Sequence, residues 1–122
     1  MTPRSAKQKG SMYERELAAY FNACLLLDPP VKRALLSGGG VATGGADLVN
    51  TPFIHVEAKR TERFQPYKAM EQAEEAIKKS GEEDIMPVVI NRKNGVKIQD
   101  SLVVMRLEDW INLYFTYTMC RN

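Results

Sequence analysis

The sequence predicts an α/β domain in which helices flank a central mixed β-sheet. Three observations carry this prediction. Apolar residues recur at helical spacing through Tyr13, Leu17, Tyr20, Phe21 and Cys24. Ile54-His55-Val56-Glu57-Ala58-Lys59 alternates apolar and polar as a strand does, and a helical pattern from Pro66 separates it from a second apolar run, Met86-Pro87-Val88-Val89-Ile90. A strand, a crossover helix and a buried strand make a βαβ unit, which sets the two strands parallel.

Composition limits the function classes. At 122 residues the chain is one domain, 1–122, able to bury a core without disulfides or structural zinc. Its 44% hydrophobic and 26% charged residues are those of a soluble globular protein, with no apolar run near the roughly 18 residues of a membrane span. The first seven residues lack the apolar stretch of a secretory signal, so a cytoplasmic location and no membrane partner are expected. Cys24 and Cys120 have no metal-type spacing and read as reduced thiols, Cys24 on the apolar face of the first helix. The net charge of +2 is too small to announce a nucleic-acid partner by itself. Its grouping says more: Arg4, Lys7 and Lys9, then Lys59, Arg60 and Arg63, then Arg92, Lys93 and Lys97 could each meet phosphates or simply be solvated.

Taken in order, residues 1–10 read as a flexible basic arm. Ser11 and Glu14 fit a capping box that opens a helix over 11–27, and Asp28-Pro29-Pro30 stops it. A short strand follows over 31–36. The glycine-rich run from Ser37 to Gly45 has no G-x-G-x-x-G register and continues into Ala46-Asp47 where a P-loop needs Lys and Ser or Thr, so it reads as an open approach rather than a nucleotide cradle. A hairpin around Thr51-Pro52-Phe53 would pair Val49 with His55, Leu48 with Val56 and Asp47 with Glu57. Pro66 opens the second helix, and Lys78, Lys79 and Gly81 close it. After the buried strand come a turn at Lys93-Asn94-Gly95, short strands over 96–99 and 102–105, and a helix over 107–115.

The chemistry gathers on the hairpin. Glu57 and Lys59 share one face of their strand, and Asp47 would lie opposite Glu57. Opposed carboxylates in a sheet are unfavourable unless a cation lies between them, and oxygen ligands suit Mg²⁺, or Mn²⁺ in its place. Such an ion polarises a phosphoryl oxygen and activates water, and Lys59 would orient that water or stabilise developing charge. Glu14 either completes the capping box or points inward with Leu17, Ala18 and Phe21 as a third acidic group. Glu16 reads as solvated. Gln72 is either a buried amide near the site or a surface residue, and a lone His55 is left outside the set.

Asp47 with Glu57-Ala58-Lys59 resembles the PD-(D/E)xK nuclease superfamily. Within it, Lys9-Gly10-Ser11-Met12-Tyr13-Glu14-Arg15-Glu16-Leu17 is similar to the opening of the archaeal-type Holliday junction resolvases, and the likeness runs over about residues 9–92. The resemblance implies a restriction-endonuclease-like fold and a catalytic set of Glu14, Asp47, Glu57 and Lys59, with Glu14, Asp47 and Glu57 as metal ligands. It further implies DNA contacts from Lys9, Arg15, Arg33, Ser37 and Arg60, although the glycine loop before Asp47 is longer here than in that family. A homodimer acting on branched double-stranded DNA in recombination and repair, of a size that suits a phage-encoded member, completes what the likeness implies. The expected activity is Mg²⁺-dependent endonucleolytic resolution of four-way junctions. Two alternatives stand beside it: another nuclease of the superfamily cutting linear, flapped or sequence-specific duplex, and a DNA-binding protein of the same fold without catalysis.

Overall fold

The computed structural model describes residues 6–35 and 45–121. In chain order these form α1 (Ala6–Cys24), β1 (Lys32–Arg33), β2 (Leu48–Val49), β3 (Ile54–Lys59), α2 (Pro66–Ser80), β4 (Met86–Asn91), a 3₁₀ turn (Ile98–Asp100), β5 (Leu102–Val104) and α3 (Leu107–Arg121). The fold is mixed α/β. Strands β3, β4 and β5 make a three-stranded sheet in that order, and β1 and β2 make a separate antiparallel pair.

The βαβ unit is present as expected. β3 and β4 run parallel, in register from Ile54 opposite Met86 to Lys59 opposite Asn91. β5 then pairs antiparallel with β4. The central strand is covered on both faces: Val88 and Ile90 pack with Tyr13 and Leu17 of α1, whereas Val89 packs with Ala69 and Met70 of α2. Burial on two sides explains why this strand reads as a continuous apolar run. Each such side chain contributes roughly 1.5–3 kcal/mol of transfer free energy.

The ends of α2 follow their sequence signals. Pro66 occupies the first turn, Lys78 and Lys79 the last, and Gly81 at φ 73° donates its backbone N–H to the Ile77 carbonyl. A left-handed residue that re-satisfies a helix carbonyl is where glycine costs least.

Several expectations are corrected. α1 begins at Ala6, so residues 6–10 are helical rather than a flexible arm, and Ser11 lies inside the helix instead of capping it. Gln8 and Lys9 are good helix formers that extend the helix past the roughly 1 kcal/mol cost of Gly10. At its other end α1 stops at Cys24, and Cys24 is exposed rather than on the apolar face. The chain turns back because the Asn22 amide pairs with both backbone groups of Val31, each bond 2.8 Å, in the manner of a strand neighbour. The strand expected over 96–99 is instead the 3₁₀ turn, and the last helix runs on to Arg121. The strand expected over 31–36 is described only to residue 35 and pairs only at Lys32 and Arg33.

The hairpin also differs. β2 pairs with β1, not with β3: Lys32 lies opposite Val49 and Arg33 opposite Leu48. Asn50 and Phe53, in the turn, both take positive φ, 67° and 71°. Asp47 keeps a backbone link to β3, the bond from its N–H to the Val56 carbonyl at 2.9 Å. Among the described residues, no helix is long and apolar enough to cross a membrane.

Candidate active site

Asp47 is the hinge between the two sheets. Its carbonyl accepts from the Ala34 N–H at 2.8 Å, its own N–H reaches Val56, and its Oδ2 accepts from the Ala58 N–H at 2.7 Å. Those bonds straddle Glu57. The expected juxtaposition of the two carboxylates is therefore realised, through a side-chain bond rather than a regular ladder.

Gly45 positions this segment. Its φ of +83° disfavours any side chain, and a Cβ there would lie 3.2 Å from Cβ of Ala76 on α2. Glycine lets the backbone entering Asp47 press against α2.

Glu57 and Lys59 share a face of β3, with Lys59 Nζ 3.4 Å from Glu57 Oε1. Glu14 enters from α1, 8% exposed, with its Oε1 2.9 Å from Nε of Arg33. Arg33 is fixed a second time by its bond to Ser11 Oγ at 3.1 Å. Ser11 thus serves as an acceptor for Arg33, not as a helix cap.

Asp47 and Glu57 are both raised above the ordinary carboxylate range. Burial, then the charge of Glu57, pushes Asp47 up to about 7; the Ala58 N–H and Lys59 oppose this and Glu14 adds to it. Burial also raises Glu57, with Lys59 opposing and Glu14 reinforcing. Such a cluster is short of positive charge. His55, two residues before Glu57, is buried and held below its ordinary pKa by desolvation, with the charge of Glu82 acting the other way. Its imidazole is therefore neutral, with Nε2 3.9 Å from Glu57 Oε2.

Among the described residues, no group of three or more His, Cys, Asp or Glu side chains is gathered to hold a metal ion. Glu14, expected as a third ligand, is ion-paired with Arg33 instead. Asp47 and Glu57 remain as a pair, and Mg²⁺ is commonly held by one or two carboxylates together with water and substrate phosphate. The donor set and its deficit of positive charge fit such an ion.

The other expected residues are distributed unevenly. Arg33 turns inward to Glu14. Arg15 is exposed on α1, and Lys9 and Arg60 are partly exposed. Gln72 is exposed on α2, so it is not a buried amide supporting the site. Ser37 and the loop to residue 44 lie outside the described residues.

The sequence reasoning placed Arg92 in a surface basic group and missed its buried position beside Lys59 and Tyr13. Arg92 follows β4 as Arg60 follows β3, its N–H donates to the Lys59 carbonyl at 3.0 Å, and both arginines act electrostatically on the Tyr13 phenol. Its guanidinium lies 5.0 Å from the Tyr13 ring centroid and pairs with Glu16 at 2.8 Å, so Glu16 is not merely solvated. The parallel register, Lys59 opposite Asn91, was the signal that could have found it.

These groups cluster at the carboxyl ends of two parallel strands, where α/β sheets place ligands. A cavity of about 440 Å³, lined by residues including Leu48, Phe53, His55 and Ile85, lies at their amino ends and holds none of the three carboxylates. Comparison with protein-family models, curated proteins and solved structures gives no match to this chain.

Proposed function

We propose that the chain is a metal-dependent endodeoxyribonuclease, with a restriction-endonuclease-like arrangement of its strands, acting on four-way DNA junctions. The observation that carries the reading is the partly buried Asp47–Glu57 pair beside Lys59, near the carboxyl end of β3. Two desolvated carboxylates in mutual repulsion cost stability, and a site for a divalent cation gives them a purpose.

Asp47 and Glu57 would hold Mg²⁺, with Mn²⁺ able to substitute. When bound, the ion polarises the scissile phosphoryl group and lowers the pKa of water. Asp47 is pre-oriented by the Ala58 N–H, so little reorganisation precedes binding. Lys59 faces the same side as Glu57 and can donate to a phosphate oxygen or hold the attacking water. Glu14 acts at one remove, by fixing Arg33. Arg60, partly exposed just past the end of β3, would meet phosphates along the strand being cut, whereas Arg92 is buried against Tyr13 and paired with Glu16.

The preference for a junction comes from the Gly10 to Leu17 opening and its resemblance to junction resolvases. Opposed cuts need two protomers. The test is incubation of the protein with a labelled four-way junction and a matched linear duplex, in Mg²⁺ or EDTA. Paired, Mg²⁺-dependent nicks confined to the junction support the reading. Equal cutting of the linear duplex would shift it to another nuclease class, and tight binding without cuts would reduce it to a binding protein.

A further inference from the structure

Strand β3 carries three polar side chains in a row on one face, His55, Glu57 and Lys59, and the row grades from sealed to open. Their side chains are 6%, 15% and 32% exposed in that order. A phosphate arriving from solvent meets the Lys59 end. His55 stands at the closed end, behind Glu57, too deeply buried for a substrate to touch.

Buried polar atoms in folded proteins nearly always have a hydrogen-bond partner. Nε2 of His55 is buried and has none, yet an acceptor stands close by, Oε2 of Glu57 at 3.9 Å. The other oxygen of Glu57, Oε1, is turned to Lys59 Nζ at 3.4 Å, so each oxygen of this carboxylate faces a nitrogen. A neutral imidazole carries one N–H, on either ring nitrogen. On Nε2 that proton attracts Oε2, whereas a bare lone pair there would repel it. The gap exceeds a normal hydrogen bond by about 1 Å. Rotation of the Glu57 carboxylate about its last torsion, which is soft and two-fold, is the smallest movement that closes it. Bonds of this kind are often long in an unloaded site and tighten when it is filled.

We propose that His55 is a positioning residue for Glu57, its Nε2–H donating to Oε2 and, with Lys59 at Oε1, fixing the plane in which the carboxylate faces the metal ion. This role rests on the Asp47–Glu57 metal centre proposed above and adds to it the group that holds Glu57 from behind. Hydrogen-bonding partners behind a metal-binding carboxylate orient it, and losing one costs roughly 10- to 100-fold in affinity for the ion. His55 makes no bond to the ion itself, because its proton occupies the nitrogen that faces the site.

Two measurements test it, neither of which depends on cleavage. His55 is the single histidine of the chain, so long-range proton–nitrogen correlation NMR of the ion-free, unmodified protein reads its tautomer directly. The expected spectrum shows the proton on Nε2 and Nδ1 bare. Mn²⁺ affinity, read from the electron spin resonance of the free ion, should fall about tenfold or more in His55→Leu. His55→Gln, whose amide can donate from nearly the same place, should recover most of that loss. A proton on Nδ1 with Nε2 bare overturns the role. So does a His55→Leu form that binds Mn²⁺ as tightly as the unmodified chain, or a His55→Gln form as weak as His55→Leu. In each of these cases the metal centre survives so long as Asp47→Asn abolishes Mn²⁺ uptake. An unmodified chain that takes up no Mn²⁺ sinks the centre, and the positioning role with it.

Discussion

Asp47 gathers the most consequences of any single residue. Its carboxyl titrates near 3.8 in an unfolded chain and at about 7 in the fold, so between those values the folded protein binds the extra proton. Stability contributed by that proton is present at low pH and lost as pH rises through 7. The ion-free protein should therefore weaken between about pH 4 and pH 7, on the order of a few kcal/mol, and Asp47→Asn should flatten that slope in urea melts. The same titration sets the sign for metal. Mg²⁺ affinity should rise as pH climbs through 7, and calorimetry near pH 7 in buffers of differing ionisation heat should show proton release that Asp47→Asn abolishes. Lys59→Met should separate the roles further, cutting the cleavage rate by about 10²-fold or more while metal binding survives.

At the scale of elements, the prediction to make concerns Gly45. Gly45→Ala forces a side chain onto a positive φ and against Ala76, so it should cost roughly 1–3 kcal/mol and displace the segment that carries Asp47. A lowered urea midpoint with an unchanged slope would show this. Leu48→Ala, removing a side chain 1% exposed in the main core, should cost about 2–5 kcal/mol by the same measurement.

Elements were legible where local and tertiary demands agree. α2 could be read from Pro66 to Gly81, and β3 and β4 from their patterns, because one face or both are core. Where they disagree the reading failed. Ser11 has the sequence of a cap but serves as an acceptor for Arg33, a partner 22 positions away that no local rule shows. The hairpin register depended on Asn50 and Phe53 accepting positive φ, which a phenylalanine rarely does. Yet Asp47, Glu57 and Lys59 still meet, because strand alternation alone places Glu57 and Lys59 together and the chain has few residues in which to bring Asp47 back. Arg92 was hidden because its role comes from parallel register with Arg60, a long-range property.

For the whole molecule, two layers of helix enclose the β3–β4 core, and Lys59 is the cation that acts on the acidic pair at the end of β3. An anionic pair with so little positive charge beside it suits a substrate that is itself a phosphate chain needing a metal to approach. DNA affinity carried by Lys59 and Arg60 should fall steeply with salt, and Arg60→Ala should lessen the slope of that fall by about one contact.

The central claim is that Asp47 and Glu57 together make a metal-dependent phosphodiesterase centre. Its most direct measurement is single-turnover cleavage of an end-labelled four-way junction by the unmodified chain, Asp47→Asn and Glu57→Gln, with Mg²⁺ and with EDTA, after gel-shift confirms that all three bind. Cleavage by the unmodified chain in Mg²⁺ alone, and its loss by about 10³-fold or more in both variants, is the predicted result. Cleavage that persists in EDTA or in either variant, or no cleavage by a chain that binds the junction, would contradict it.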